Sequence, residues 1–286
     1  LATGATEFID LTTADVFLME VWAKMASVAR EKKLVFAANV DRSPEAELKV
    51  GQIYRRQRIS NLSARSKSAN TAISYETVTE SEDTVTINNY YYAAFALEDV
   101  IKPMVSIDLI NAYMPKIGYA LAKQEDDDLA ALIDDGTITQ TVGTLATGLT
   151  YDNYVRADQY LNDAEAPEDD RAIIISHAEK ANLLKMDQFI NSQYVKLQEG
   201  RSNTGLLGGI LGYPVFVTGN TNGTNAAGHD NVMLHKSAIM FAQQIQPIVK
   251  TDWDIDYFCA KVAALETYGL AINQAYTDHA VWMKGL

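Results

Sequence analysis

Four histidines, one cysteine and 37 acidic residues are the side chains from which a chemical site would have to be built. His177, His229, His235 and His279 lie far apart, and none sits in an HExxH or HxH spacing that would place two imidazoles on one zinc ion. Cys259 stands alone, which excludes an intrachain disulfide framework and a cysteine-based zinc site. Asp252, Asp254 and Asp256 alternate like the opening of a calcium loop, but Tyr257 stands where that loop needs Gly and Ala263 where it needs Glu. On a strand these three carboxylates would share the solvent face. Gly205, Gly208, Gly209 and Gly212 crowd together like a phosphate cradle. They lack the GxGxxG spacing and no Gly-Lys-Ser/Thr follows, so they read as tight turns before a strand at Val215. No serine sits in a GxSxG elbow. No catalytic, cofactor-binding or metal-binding constellation is expected.

The elements that would carry such residues read as a mixed fold. Thr12 and Asp15 resemble a capping box, and Leu18, Val21, Trp22, Met25 and Val28 then mark a helical face to about Glu31. Residues 73–77 and 84–88 alternate like two strands, with Glu80–Asp83 as the turn between them. A strand follows over Ala93–Leu97. Ile107, Ile110, Met114, Ile117 and Leu121 recur at helical spacing, which predicts a helix over about 106–134. At ~1.5 Å per residue it would be roughly 43 Å long, with a bend at Pro115. Glu125–Asp128 form an acidic band on it that reads as a solvated face. A helix over Asp152–Ala164, a buried strand at Arg171–Ser176 and a helix capped by Ser176 and Glu179 come next. Then come a strand at Tyr213–Thr218, a surface loop at Gly219–Asn231, a strand at Val232–Leu234 and a short helix at His235–Gln243. The tail from Asp256 to Leu286 is sheet-forming.

Charge is unevenly spread. The 286-residue, 31.5 kDa chain carries a net −13. Between Leu48 and Tyr75, however, Lys49, Arg55, Arg56, Arg58, Arg65 and Lys67 meet no acid at all. The rest holds 18 basic and 37 acidic residues. So acidic a chain is a poor dedicated reader of nucleic acid. The basic stretch has too few apolar residues to fold on itself, so it reads as a long arm whose hairpin projects from the body. Such an arm in a compact monomer is improbable, which points to a multi-subunit state. The apolar runs fall far short of the ~20 residues that span a bilayer, and Leu1–Asp10 lacks the pattern of a signal peptide.

The order of these elements resembles the Johnson fold, the α+β fold of major capsid proteins of tailed bacteriophages. Thr84–Val100 (TVTINNYYYAAFALEDV) is similar to the strand leading out of that family's extended loop. Asp108–Asp134, ending in ALAKQEDDDLAALID, resembles its spine helix. Ala172–Leu184 (AIIISHAEKANLL) and Leu206–Asn220 (LLGGILGYPVFVTGN), followed by His235–Ala238, resemble its apical domain. Val262–Trp282 resembles the last strands of its peripheral domain. The resemblance implies five parts. These are an N-terminal arm and first helix (1–45), an extended loop (46–90), a peripheral domain with the spine helix (91–150), an apical domain (151–246) and C-terminal peripheral strands (247–286).

It also implies a non-enzymatic subunit that self-assembles as pentamers and hexamers into an icosahedral shell around a double-stranded DNA genome. A shell with an acidic lining would hold packed DNA without binding it tightly. The partners implied are a scaffolding protein, a portal, a decoration protein and DNA by non-specific proximity, with no cofactor and no membrane. Assembly is expected in the cytoplasm of the host bacterium, with the virion as destination. Arg55, Arg56, Arg58, Arg65 and Lys67 are expected to pair with carboxylates of an adjacent subunit, among them Glu125, Asp126 and Asp128. An encapsulin compartment, which shares the fold, and a soluble α/β enzyme are the alternatives.

Overall fold

A computed structural model describes residues 34–48, 50–59, 62–78, 80–100, 109–134, 136–186 and 206–286. The helix expected over 12–31 and the start of the helix expected at 106 lie outside these residues.

The largest sheet is built from short strands far apart in sequence. They are β4 (Thr141–Gly143), β5 (Arg171–Ile175), β6 (Leu206–Ile210), β7 (Tyr213–Val217), β8 (Gly223–Thr224), β9 (Gly228–His235) and β12 (Ala280–Gly285). Their order is β4-β12-β9-β5-β7-β6, with β8 on β9. β5 pairs in parallel with β7 and antiparallel with β9. It reads as an unbroken apolar run because both faces of the sheet are covered. Ile173 and Ile175 pack with Val215, Met233 and Val281 against Tyr154 and Leu161 of helix α3 (Tyr151–Asp163). Ile174, Val232 and Leu234 point the other way, to Phe36, Leu129, Ile133 and Phe241. Helix α4 (His177–Leu183) starts as expected: Ser176 Oγ accepts a hydrogen bond from the Glu179 N–H at 3.0 Å.

A second sheet joins β10 (Ile239–Asp254), β11 (Cys259–Ile272) and β3 (Asn89–Glu98) in that order, all antiparallel. The long helix α2 (Leu109–Ala131) lies on one face of it, with Ile117 and Leu121 against Val262 and Ala264. β3 alternates half-buried and exposed along its whole length, as a strand with one covered face must. The short helix expected over His235–Gln243 is instead the end of β9, a 3-10 turn (Lys236–Ala238) and the start of β10. Ile239–Ala242 are buried on both faces, and a short apolar run of that kind has no periodicity to separate strand from helix.

The third sheet is the projecting hairpin, and it differs from the one expected. β1 (Ile53–Ile59) pairs with β2 (Glu80–Thr86), so Glu80–Asp83 are strand rather than turn, and residues 73–77 form no strand. Its base is anchored where Val85 and Ile87 pack with Leu48, Met240 and Ala242. Gly269 of β11 permits this contact: a Cβ there would stand 2.3 Å from the Thr86 carbonyl oxygen.

The Gly219–Asn231 segment is likewise not all loop. β8 and β9 form a small hairpin in it, and Gly228 (φ +93) packs so closely that a Cβ would lie 2.3 Å from the Ala146 nitrogen. Gly208 and Gly209 lie within β6, and Gly212 (φ +91) takes the turn into β7. Among the described residues no helix is long and apolar enough to cross a membrane.

Candidate assembly interface

The basic residues of the projecting hairpin meet acids of their own chain. Arg55 lies 3.2 Å from Glu82 across the ladder. Arg58 donates to Ser81 Oγ at 2.7 Å and stands 3.9 Å from the buried carboxylate of Asp83. Arg56 reaches back to Asp41 at 3.9 Å, at the hairpin base. These cross-strand pairs explain why so basic a segment forms a strand opposite the acidic run 80–83. Arg65 stands 3.8 Å from Glu76 and donates to Ser74, and Lys67 is exposed beside them. Residues 62–78 wrap an open cup of about 510 Å³. Of these residues only Glu76 is even half-buried. Leu62, Ile73, Tyr75 and Val78 are all exposed, Tyr75 at 87%. These apolar side chains are held away from the core clusters.

The acidic band of α2 is not a solvated face. Asp126 is fully buried and accepts hydrogen bonds from the backbone N–H groups of Val35, Phe36 and Ala37, the shortest at 2.7 Å, and from Asn220 Nδ2 at 3.1 Å. It caps the 3-10 turn Phe36–Ala38 from outside the segment. Glu125 accepts from Gln243 Nε2 at 2.5 Å, and Asp128 from Tyr268 Oη at 2.7 Å and Gln124 Nε2 at 2.8 Å. Burial pushes the Glu125 and Asp126 carboxyls above their ordinary range; the donors around Asp126 oppose the shift only in part. Burial, then the hydrogen bond to Asp128 and its charge, hold the Tyr268 phenol protonated. Asp127, paired with Lys123, is half-buried. Helical spacing holds the missed signal, because Leu121, Glu125 and Asp128 share one face of α2.

The sheet face away from α2 is covered by the hairpin base near Gly269 and open beyond it. Tyr92, Leu265 and Ile248 stand in register across β3, β11 and β10, and all three are exposed. At the far end of β10–β11, Trp253, Ile255, Tyr257 and Phe258 are exposed, and Trp253 Nε1 donates to Asp99 at 2.8 Å. Asp254 is paired with Lys261, while Asp256 lies in the turn.

The histidines include one pairing that sequence distance hid. Ser237 Oγ lies 2.7 Å from His235 Nδ1 and 3.0 Å from His279 Nδ1. Burial pushes both imidazoles down. This trio ties the end of β9 to the entry of β12. Among the described residues no group of three or more His, Cys, Asp or Glu side chains could hold a metal ion.

The described residues present a long basic hairpin, a partly open sheet face and, at its outer end, exposed apolar side chains. The family model of the phage capsid protein matches residues 46–275, from the base of that hairpin to the loop before β12. The chain belongs to the phage capsid protein family. It is a capsid protein of bacteriophage shells, and this assignment favours the phage capsid over the encapsulin alternative.

Solved structures show the same fold. A chain from Mycobacterium phage Che8 superposes with a TM-score of 0.79 at 20% identity, over 94% of this chain and 97% of that one. A capsid chain of Cyanophage P-SCSP1u gives 0.68 at 17% identity, over 95% and 94%. A chain of an empty GTA particle capsid gives 0.63 at 14% identity, over 98% and 99%. No curated protein matches by sequence. The α+β capsid fold expected from the order of elements is the fold observed.

Proposed function

We propose that this capsid protein builds an icosahedral shell as pentamers and hexamers around a double-stranded DNA genome. Its projecting hairpin lies across a neighbouring subunit. The exposed hairpin tip, residues 62–78, carries this reading, because its apolar and basic side chains have no core of their own to join. The five-part division given above serves this role, with the arm and extended loop as reaching parts. The subunit acts structurally, without catalysis. It assembles in the host bacterial cytoplasm with a scaffolding protein and portal, and decoration proteins bind the finished shell. Negative-stain images and light scattering of the purified protein should show megadalton shells holding DNA. A compact 31.5 kDa monomer as the sole native form would overturn the reading.

In that arrangement Arg55, Arg56, Arg58, Arg65 and Lys67 meet carboxylates of the adjacent subunit in addition to their own. Glu125, Asp126 and Asp128 are committed inside the subunit, so exposed acids such as Asp252 and Asp256 are the better-supported acceptors. An exposed pair contributes only ~0–1 kcal/mol, so its role is to set register rather than affinity. A charge swap separates the two roles. Arg55→Glu with Glu82→Arg keeps the hairpin's own pair but reverses the sign shown to a neighbour. Impaired assembly of this folded double variant supports the intersubunit role, and normal shells at low and high salt remove it.

A further inference from the structure

We propose that the buried carboxyl groups of Glu125 and Glu266 share one proton, forming a proton-held clasp between α2 and β11 that loosens in alkali. Glu266 sits in the middle of β11 on the face that carries Val262, Ala264 and Tyr268 toward α2. It is fully buried, and neither of its oxygens accepts a hydrogen bond from an N–H or O–H group among the described residues. What it faces instead is the Glu125 carboxyl of α2, near enough for the charge of each to act on the other. Two buried carboxyls that face each other, one of them with no donor of its own, are relieved when one is a carboxylic acid, whose O–H supplies the missing donor.

The surroundings give no substitute for that proton. From α2, Asp126 and Asp128 add negative charge near the pair. β3 places the Tyr91 phenol opposite Glu266, and Tyr268 spends its hydrogen on Asp128. β10 contributes the neutral Gln243, which donates to Glu125. Arg42 is the cation that acts on Glu125, and it is already paired with Glu45 at 3.2 Å and stacked on Phe241. Burial first, then the Glu125 and Asp128 charges, push the Glu266 carboxyl up to about 7. Above that range both groups are ionised, face to face, in a site closed to water. Charge repulsion then acts to separate α2 from the sheet it lies on.

Amide hydrogen exchange on the native protein, corrected for its intrinsic pH dependence, tests the clasp. Protection in 117–129 and 262–268 should fall roughly tenfold or more between about pH 6 and about pH 9, two decades above an ordinary glutamate. Glu266→Gln keeps a neutral hydrogen-bond donor against Glu125 and should flatten that response. Glu125→Gln, from the other side, should do the same if the first variant does not fold. Isotope-edited infrared spectra of glutamate-labelled protein should show a protonated glutamate near pH 6 that disappears in either variant. Glu179, also raised by burial, is subtracted with Glu179→Gln. Unchanged protection of the native protein across this range would overturn the clasp. A Gln variant with the native pH response would also overturn it.

Discussion

Asp126 does for residues 35–37 what an N-cap side chain does for its own helix, but from 90 positions away in sequence. Removing the carboxylate leaves three backbone donors and the Asn220 amide without their acceptor in a dry site. At ~1–3 kcal/mol for each buried group left unpaired, Asp126→Ala should destabilise the subunit by roughly 3 kcal/mol or more. Asp126→Asn should cost less, since one oxygen remains; chemical denaturation measures both. The histidines give a pH prediction of definite sign. His235 and His279 are held below the ordinary 6.5, so the folded state binds fewer protons than the unfolded chain. Their contribution is present above that value and is lost as pH falls through the lowered folded values, by at most ~1.4 kcal/mol per pH unit for each group. The double variant His235→Gln, His279→Gln should therefore lose less thermal stability between pH 7 and 5 than the native chain. Little of this was visible in sequence, where the run Glu125–Asp128 reads as solvated. Its helical positions, one face with Leu121 and the next with Leu129, were the overlooked clue.

Elements whose stability comes from apolar burial were legible. α3, β5, β7 and the capped start of α4 lie where periodicity, an unbroken apolar run and a Ser/Glu pair place them. β1 was not legible, because Ile53–Ile59 holds three arginines in seven residues. It becomes a strand through charges supplied by β2, a relation that local pattern does not contain. The same holds for the close approaches. Gly269 looks like any glycine in a strand until the hairpin base is seen crossing it. Gly269→Val should push Thr86 away and free the hairpin, read as faster proteolytic cleavage within 48–88. The β8–β9 hairpin gives a graded test of the segment Gly219–Asn231, whose composition alone reads as loop. Residues 222–227 are exposed while Asn220, Thr221 and Gly228 are buried. A four-residue insertion between Asn225 and Ala226 should leave the melting temperature and assembly unchanged. The same insertion between Asn220 and Thr221 breaks the Asn220–Asp126 contact and should lower both.

At the scale of the whole molecule, the chain divides into what folds and what reaches. The three sheets and the helices α2, α3 and α4 bury a core among themselves. The hairpin tip adds nothing to it: residues 62–78 contribute no side chain to any of the core clusters. Such a segment in a lone subunit would cost ordering entropy with no return, a cost that the proposed contacts with a neighbouring subunit would offset. This gives the sharpest separation of folding from assembly. Replacing residues 62–78 by a short glycine-rich turn leaves the β1–β2 ladder and the base contacts of Val85 and Ile87 intact. The shortened subunit should keep the native far-ultraviolet spectrum and melt within a few degrees of the full chain, since an exposed loop contributes little to stability. Light scattering should then find single subunits or small rings in place of megadalton shells. Normal shells from the shortened chain would show that the body alone, through its open sheet face and the exposed end of β10–β11, closes the capsid. Loss of the native spectrum would show that the tip belongs to the folded core after all.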